Sequence, residues 1–148
     1  MPYFTYDTSV IISRGITDFR GMPRSFLLSA IVLMELAASA RDASQRELYE
    51  QVFRIYQQDD TLIVPNAEDW LLTSKILFWL THARKRSQYG RLKSLPPGAA
   101  QRLALDVLIA VSARRWKAKV VTENWSDFKT IRRYCNATII RGSDFFGY

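Results

Sequence analysis

One cysteine and one histidine are all that the 148 residues contain of these two side chains. Cys135 alone cannot close an internal disulfide, which fits a reducing compartment. It is expected as a small buried apolar residue. His82 alone leaves no histidine pair for general acid–base chemistry, and it is expected on a helix surface. No Ser, Cys or His arrangement suggests a covalent nucleophile. No apolar run approaches the roughly 20 residues of a membrane span. Met1-Pro2 leads directly into strand-like sequence without a basic leader, so no signal peptide and a cytoplasmic location are expected. Internal repeats and low-complexity segments are missing too.

Acid is the scarcer charge. There are 14 Asp and Glu against 21 Lys and Arg, a net charge of +7. That balance favours a polyanionic partner such as nucleic acid, against a merely solvated basic surface. At 48% hydrophobic and 24% charged, the chain reads as one globular domain over residues 1–148 with a real core.

Against this background the placement of a few acids stands out. Leu103-Ala104-Leu105-Asp106-Val107-Leu108-Ile109-Ala110-Val111 is an apolar run with one carboxylate in it. Asp is a poor helix-interior residue, and a buried unpaired carboxylate is costly. The pattern recurs in Tyr3–Ile12, which holds only Asp7, and in Phe26–Ala38, which holds only Glu35. Three isolated acids in three apolar elements suggest one shared site with a divalent cation as partner.

The periodicity places these acids. Tyr3–Tyr6 is strand material ending at Asp7, with a short helix opening at Ser9–Ile12. Arg14–Pro23 reads as a mobile loop, where Arg14, Arg20 and Arg24 either touch phosphate or sit in solvent. A strand over Ser25–Ser29 precedes a helix over about Ile31–Ala40 that carries Glu35. Asp42 or Ser44 caps the next helix, with Leu48, Val52, Ile55 and Tyr56 on one packing face. A strand over Thr61–Val64 follows. Asn66 then caps a long helix to about Arg86, with Glu68 and Asp69 in its first turn. Leu71, Leu72, Ile76, Leu77, Trp79 and Leu80 give that helix a wide apolar face. Arg84, Lys85, Arg86, Arg91 and Lys93, with Tyr89 among them, form the densest basic stretch, suited to phosphate contact and base stacking or to plain solvation. After Pro96-Pro97-Gly98 a helix carries Asp106 to about Trp116. A strand over Lys119–Thr122, a polar turn, a short helix to about Tyr134, an edge-like strand over Ala137–Ile140 and an irregular tail complete the chain. Alternating strands and helices imply an α/β fold of three layers, α/β/α, around a mostly parallel sheet of four to five strands.

Four motifs now stand in order. They are Tyr6-Asp7-Thr8-Ser9, then Ser29-Ala30-Ile31-Val32-Leu33-Met34-Glu35-Leu36, then Leu105-Asp106-Val107-Leu108-Ile109-Ala110, and Thr122-Glu123-Asn124-Trp125-Ser126-Asp127-Phe128. Over essentially its whole length the chain resembles the PIN-domain ribonucleases, and most closely the VapC-like toxins of bacterial and archaeal toxin–antitoxin pairs. The resemblance implies a metal-dependent endoribonuclease that inhibits translation by cutting structured RNA, often transfer or ribosomal RNA. It implies Mg²⁺ or Mn²⁺, for which hard oxygen ligands are suited. Asp7 and Asp106 would hold the metal, with Glu35 and Asp127 direct or through water. Ser9 and Thr122 orient the acids or cap turns. It further implies a homodimer and a small antitoxin whose tail covers the acidic pocket. Many family members carry Asp where this chain has Asn124, which leaves Asn124 as a neutral ligand or hydrogen-bond donor. A housekeeping RNA-processing nuclease and a non-catalytic RNA- or protein-binding module are the alternatives. A haloacid-dehalogenase-type phosphatase would need a second Asp two residues after Asp7, where Ser9 stands.

Overall fold

The aromatic, Thr-bearing segment Tyr3–Tyr6 is strand β1 of the computed structural model, which describes residues 2–86 and 98–147. Helix α1 (Thr8–Ser13) follows, then β2 (Leu28–Ser29), α2 (Ala30–Ala38), α3 (Ala43–Gln58) and β3 (Leu62–Ile63). The long α4 (Ala67–Arg86) and α5 (Ala99–Arg115) lead to β4 (Ala118–Thr122), α6 (Trp125–Cys135), β5 (Ile139–Arg141) and α7 (Gly142–Phe146).

All strand pairs are parallel. β4 lies between β1 and β5, and β2 pairs with β3. A single parallel bridge, Phe4 to Phe26, joins the two pieces. There Phe4 donates its N–H to the Ser25 carbonyl at 3.0 Å and accepts from Leu27 N–H at 2.9 Å. The order across the sheet is therefore β3-β2-β1-β4-β5. It reverses between β1 and β4, and α/β folds place their sites at the carboxyl ends of strands beside such a reversal. Right-handed crossovers on a reversing order send the early and late helices to opposite faces. The contacts agree in the main, since α2 packs chiefly on α3 and α5 chiefly on α4, α6 and β4, while α2 and α5 also touch. Among the described residues no helix is long and apolar enough to cross a membrane.

The core explains why α5 is organised as it is. Val107 to Ala113 is buried without a break, so this helix is enclosed on all sides. Phe128 and Ile131 of α6 and Val120 and Val121 of β4 close around it, all essentially inaccessible. Cys135 is buried as expected.

Several local expectations need correcting. The Arg14–Pro23 segment is anchored: Phe19 is buried, and its carbonyl accepts from the buried Tyr56 hydroxyl at 2.5 Å. Asp42 caps α3, accepting from Gln45 N–H at 2.8 Å, rather than Ser44. The packing face of α3 includes Tyr49, Val52, Phe53 and Tyr56, while Leu48 is exposed. Val52 and Tyr56 pack as expected, and Tyr49 and Phe53, each one position after an expected residue, join them against the core. The apolar width of α4 misled in the same way, because Leu71 and Trp79 face outward. The tail after β5 is not irregular but forms α7.

Asn66 caps α4 reciprocally with Asp69. The Asn66 Oδ1 accepts from Asp69 N–H at 2.9 Å, and the Asp69 Oδ2 accepts from Asn66 N–H at 3.0 Å. That same Asp69 oxygen takes the Arg115 Nε at 2.9 Å, and Arg115 reaches on to the Val64 carbonyl at 2.7 Å. Asp69 is buried, so it ties the start of α4 to the end of α5. Asp69→Ala removes a cap partner and strips a guanidinium of its carboxylate. Urea unfolding should show a loss of about 1–3 kcal/mol.

Candidate active site

Strand β1 delivers Asp7 to the carboxyl end of the sheet. Ordinary helix-start chemistry then fixes it, because Asp7 is the N-cap of α1. Its Oδ1 accepts from Val10 N–H at 3.1 Å and from Ser9 Oγ at 2.7 Å. Its Oδ2 accepts from the Thr122 hydroxyl at 2.5 Å, across from the end of β4. A carboxylate offers about four lone-pair sites, so three hydrogen bonds leave capacity for a further partner. Burial pushes the Asp7 carboxyl above its ordinary range against the pull of these three donors, and the Glu123 charge adds to the rise. Ser9 and Thr122, expected either to orient acids or to cap turns, both hold Asp7. Each also serves the β4–α6 turn: Ser9 Oγ accepts from Glu123 N–H at 3.1 Å, and Thr122 Oγ1 from Asn124 N–H at 2.8 Å.

Glu35 arrives from α2, which starts immediately after β2. The Thr8 hydroxyl donates to its Oε1 at 3.0 Å. Burial raises its pKa, with the nearby Asp7 charge adding to the effect. Thr8 was visible only as the middle of the first motif, and its contact with an acid 27 residues away requires the fold.

Asp106 stands on α5 just ahead of the buried run. Burial raises its carboxyl to about 7, and the charges of Asp7, Asp127 and Glu35 push in the same direction. Asn124 opposes the rise by donating from Nδ2 to Asp106 Oδ2 at 3.3 Å. The same amide nitrogen donates to Asp127 Oδ2 at 3.1 Å. Asp127 lies in the first turn of α6 but caps nothing; its carboxylate faces Asn124. Arg102, one turn before Asp106 on α5, is not among the groups acting on it. Among the described residues, no ion pair reaches Asp7, Glu35, Asp106 or Asp127.

The structure thus brings all four predicted acids, with Ser9, Thr122 and Asn124, to one end of the sheet. Their donors are all hard oxygens, which suit Mg²⁺ or Mn²⁺. Among the described residues no three Asp, Glu, His or Cys side chains converge closely enough to hold an ion as they stand. The acids share a field rather than a ligand sphere.

Sequence reasoning missed a frame beside the acids. Arg14 donates from Nε to Glu123 Oε1 at 2.8 Å and stacks on Phe146, 4.2 Å from its ring centre. Gly142 is what admits Glu123 here, because a Cβ at that position would lie 1.9 Å from its Oε1. Arg132 and Arg141 stack on Trp125, at 5.0 and 4.6 Å. Trp125 directly follows Asn124, so this exposed cationic pair lies next to the carboxylates. No spacing rule links residues 125, 132 and 141, since β5 must return beside β4 to bring Arg141 in. Of the predicted basic stretch, Arg91 and Lys93 lie outside the described residues. Arg84, Lys85 and Arg86 close α4, with side chains that also lie outside them. His82 is on the surface of α4, bonded to the Phe78 carbonyl at 2.8 Å and away from the acids' contacts.

No protein-family model and no curated protein matches the chain. Solved structures do. A chain of DNA-bound VapBC from Salmonella typhimurium is 20% identical over 95% of this chain and 98% of that one, with a TM-score of 0.53. A chain of FitAB bound to an IR36 DNA fragment is 14% identical over 93% and 94%, with a TM-score of 0.56. A chain of VapBC-1 from nontypeable Haemophilus influenzae is 18% identical over 94% and 97%, with a TM-score of 0.50. Likeness over nearly the full length of both partners establishes the architecture: the chain has the α/β PIN-like fold, shared with chains of the VapBC and FitAB structures.

Proposed function

We propose that this chain is a metal-dependent endoribonuclease, the toxin of a toxin–antitoxin pair. One observation carries the reading. Asp106 sits in the field of three other carboxylates at the switch point of the sheet, and among the described residues no ion pair reaches it. Carboxylates gathered in one another's field are stabilised by a cation bound among them.

Asp7 and Asp106 would hold Mg²⁺ or Mn²⁺, with Glu35 and Asp127 contributing directly or through water. When bound, the metal supplies an activated water and stabilises charge on the scissile phosphate and the leaving oxygen. The residues of the chain have separate tasks. Ser9, Thr122 and the Val10 amide fix Asp7, making it the rigid member of the set. Thr8 steadies Glu35. Asn124 ties Asp106 to Asp127 and offsets part of their repulsion. The remaining acids turn toward Asp7 to share a cation.

RNA fits the +7 net charge. Arg132 and Arg141, both over the Trp125 ring, offer phosphate-binding groups at the start of α6, beside the acids. Arg84, Lys85, Arg86, Arg91 and Lys93 are further candidates for phosphate contact. Arg141→Ala should weaken RNA binding about equally for all sequences and reduce the salt slope by about one ion, measured by fluorescence anisotropy against salt. The VapBC and FitAB structures are two-component assemblies by name, which supports a small cognate antitoxin as partner here. A basic side chain from such a partner, laid over the acids, would replace the charge of the metal. A homodimer is also implied by the resemblance, and the chemistry at the acids does not require it.

Asn124 favours a second reading, a binding module without turnover. Purified, antitoxin-free protein incubated with total cellular RNA in Mg²⁺, Mn²⁺ or chelator separates the two. Discrete metal-dependent fragments are expected. RNA left intact in every lane, with binding retained, would establish the module instead.

A further inference from the structure

The acids gather where the strands end. At the other end of the sheet, where β2 and β3 begin, a cleft of about 700 Å³ opens. Phe26, on its lining, pairs with Phe4 near the start of β1, and Thr61 directly precedes β3. Three residues of strand, about 10 Å, separate Phe4 from Asp7. The cleft shares no lining residue with the acid cluster.

The loop ahead of β2 forms one side of the cleft and the last turn of α3 the other. The loop is held at three points. Asp18 Oδ1 accepts from the amides of Arg20 and Gly21 at 3.1 and 3.0 Å. A Cβ at position 21 would lie 2.5 Å from Asp18 Oδ2, so this tight turn calls for glycine. The Phe19 carbonyl takes the Tyr56 hydroxyl from α3, and the Pro23 carbonyl accepts from Phe26 N–H at 2.9 Å. The cleft is therefore formed before a ligand arrives, which spares the ligand the cost of ordering it.

Its chemistry is mixed in a definite way. Phe19, Phe26 and Tyr56 are buried and make an apolar floor. Met22 and Ile55 are partly exposed and Pro23 is exposed, so an apolar ring has walls to lie against. Arg20 and Arg24 are exposed on the lining, and among the described residues neither has a carboxylate partner. Arg20 reaches only Gln51 Oε1 on α3, at 3.5 Å. Two such guanidiniums select an anion, and their planar forks suit phosphate. Asp59, the C-cap of α3, is the one carboxylate on the lining, and it accepts from hydroxyl or amino groups. The volume lies within the ~300–1,000 Å³ that encloses a drug-sized molecule, far more than a bare phosphate fills. An amino acid would answer both charges and leave the apolar walls bare. A phosphate carried on a ribose with a flat base engages the arginines, the carboxylate and the walls together.

We infer that this cleft binds a nucleoside phosphate, with Arg20 and Arg24 on the phosphate and the base against Met22, Pro23 and Ile55. The inference does not rest on the nuclease reading. Its test is a titration of the full chain, with ¹³C-labelled methionine methyls, by each of the four ribonucleoside 5′-monophosphates. Chelator is present throughout, so the acids hold no metal and repel phosphate. Met22 lines the cleft, whereas Met34 stands on α2 in a separate surface groove. At least one nucleotide should shift the Met22 methyl signal, leave Met34 in place, and bind about tenfold or more tighter than its nucleoside or inorganic phosphate. Arg20→Gln and Arg24→Gln, at exposed positions, should each raise its Kd about tenfold, with an unchanged thermal melt. A single-stranded RNA pentamer tells the two sources of this chemistry apart. If it shifts Met22 and competes with the mononucleotide, the cleft takes one nucleotide of an RNA chain. If it leaves Met22 unmoved, the cleft takes free nucleotides. Three results overturn the inference: no nucleotide shifts Met22 at millimolar concentration, inorganic phosphate binds as tightly as the nucleotides, or both glutamine variants bind like the wild type. RNA cleavage is scored separately, so failure of one idea leaves the other standing.

Discussion

With both Asp7 and Asp106 changed to Asn, RNA cleavage in Mg²⁺ is expected to fall by about 10³-fold or more, while the fold persists. The substitution keeps the size of each side chain. Asparagine at position 7 retains an oxygen that can accept from Thr122 or from Ser9 and Val10, though not the full set held by the carboxylate. What disappears is two negative charges at the fixed centre of the site. Removing one principal electrostatic group from an enzyme costs about 10²–10³ in rate, and this pair would also hold the metal. A circular-dichroism melt run in parallel excludes unfolding as the cause. Cleavage that survives the double substitution would end the acidic-site reading, and fragments that also survive chelator would point to a contaminating nuclease. Mn²⁺ should raise the melting temperature of the wild type and leave the double variant unmoved, since only a bound ligand shifts the folding equilibrium in this way.

The second large effect has the opposite sign. Asp106→Asn alone should make the metal-free protein more stable near pH 8. The Asp106 carboxyl is raised to about 7 in the folded chain from an ordinary 3.8. Between those values the folded state binds a proton that the unfolded state has released, so stability falls as pH rises. Above the folded value both states are ionised, and the full cost of a charge among charges is present. Three pKa units correspond to a ceiling of about 4 kcal/mol, lowered by the solvent that reaches this partly exposed group. The amide removes that cost and still accepts from Asn124. Urea unfolding of the two proteins should therefore diverge near pH 8 and converge near pH 3, about a unit below the ordinary value, where both states of the wild type are largely protonated. Equal stability at every pH would mean that Asp106 is solvated and uncoupled from its neighbours.

These effects turn on residues that the sequence exposed unevenly. Asp106 was legible because nothing local explains a carboxylate at the edge of a buried helix. Asp7 was legible as a strand end, and the structure shows that its capping role and its site role are compatible, since one oxygen serves the cap and the other reaches β4. Asp127 was obscured by its position in a helix start, where acids are common, and only the Asn124 contact shows which way it points. The element order followed from alternation of pattern and the parallel sheet from the connections, because both depend on short-range periodicity. Side-chain direction did not follow. On α3 and α4 apolar residues also fall next to one another, as in Leu48-Tyr49, Val52-Phe53 and Phe78-Trp79, so sequence spacing fits more than one stripe. Packing against α2 and α5 then selects Tyr49 over Leu48 and leaves Trp79 outside. Trp125, Arg132 and Arg141 were invisible for another reason, since their meeting depends on two strands becoming neighbours.

The central position of β1 also bears on how the protein is made. Its first strand must wait for its fourth, and more than a hundred residues separate the end of β1 from the start of β4. At the usual pace of synthesis that interval lasts roughly 6–22 s. During it the nascent chain gains Asp7 and then Glu35 but still lacks Thr122, Asn124 and Asp127. If the chain acts as proposed, it would stay harmless on the ribosome that builds it until its last quarter has emerged.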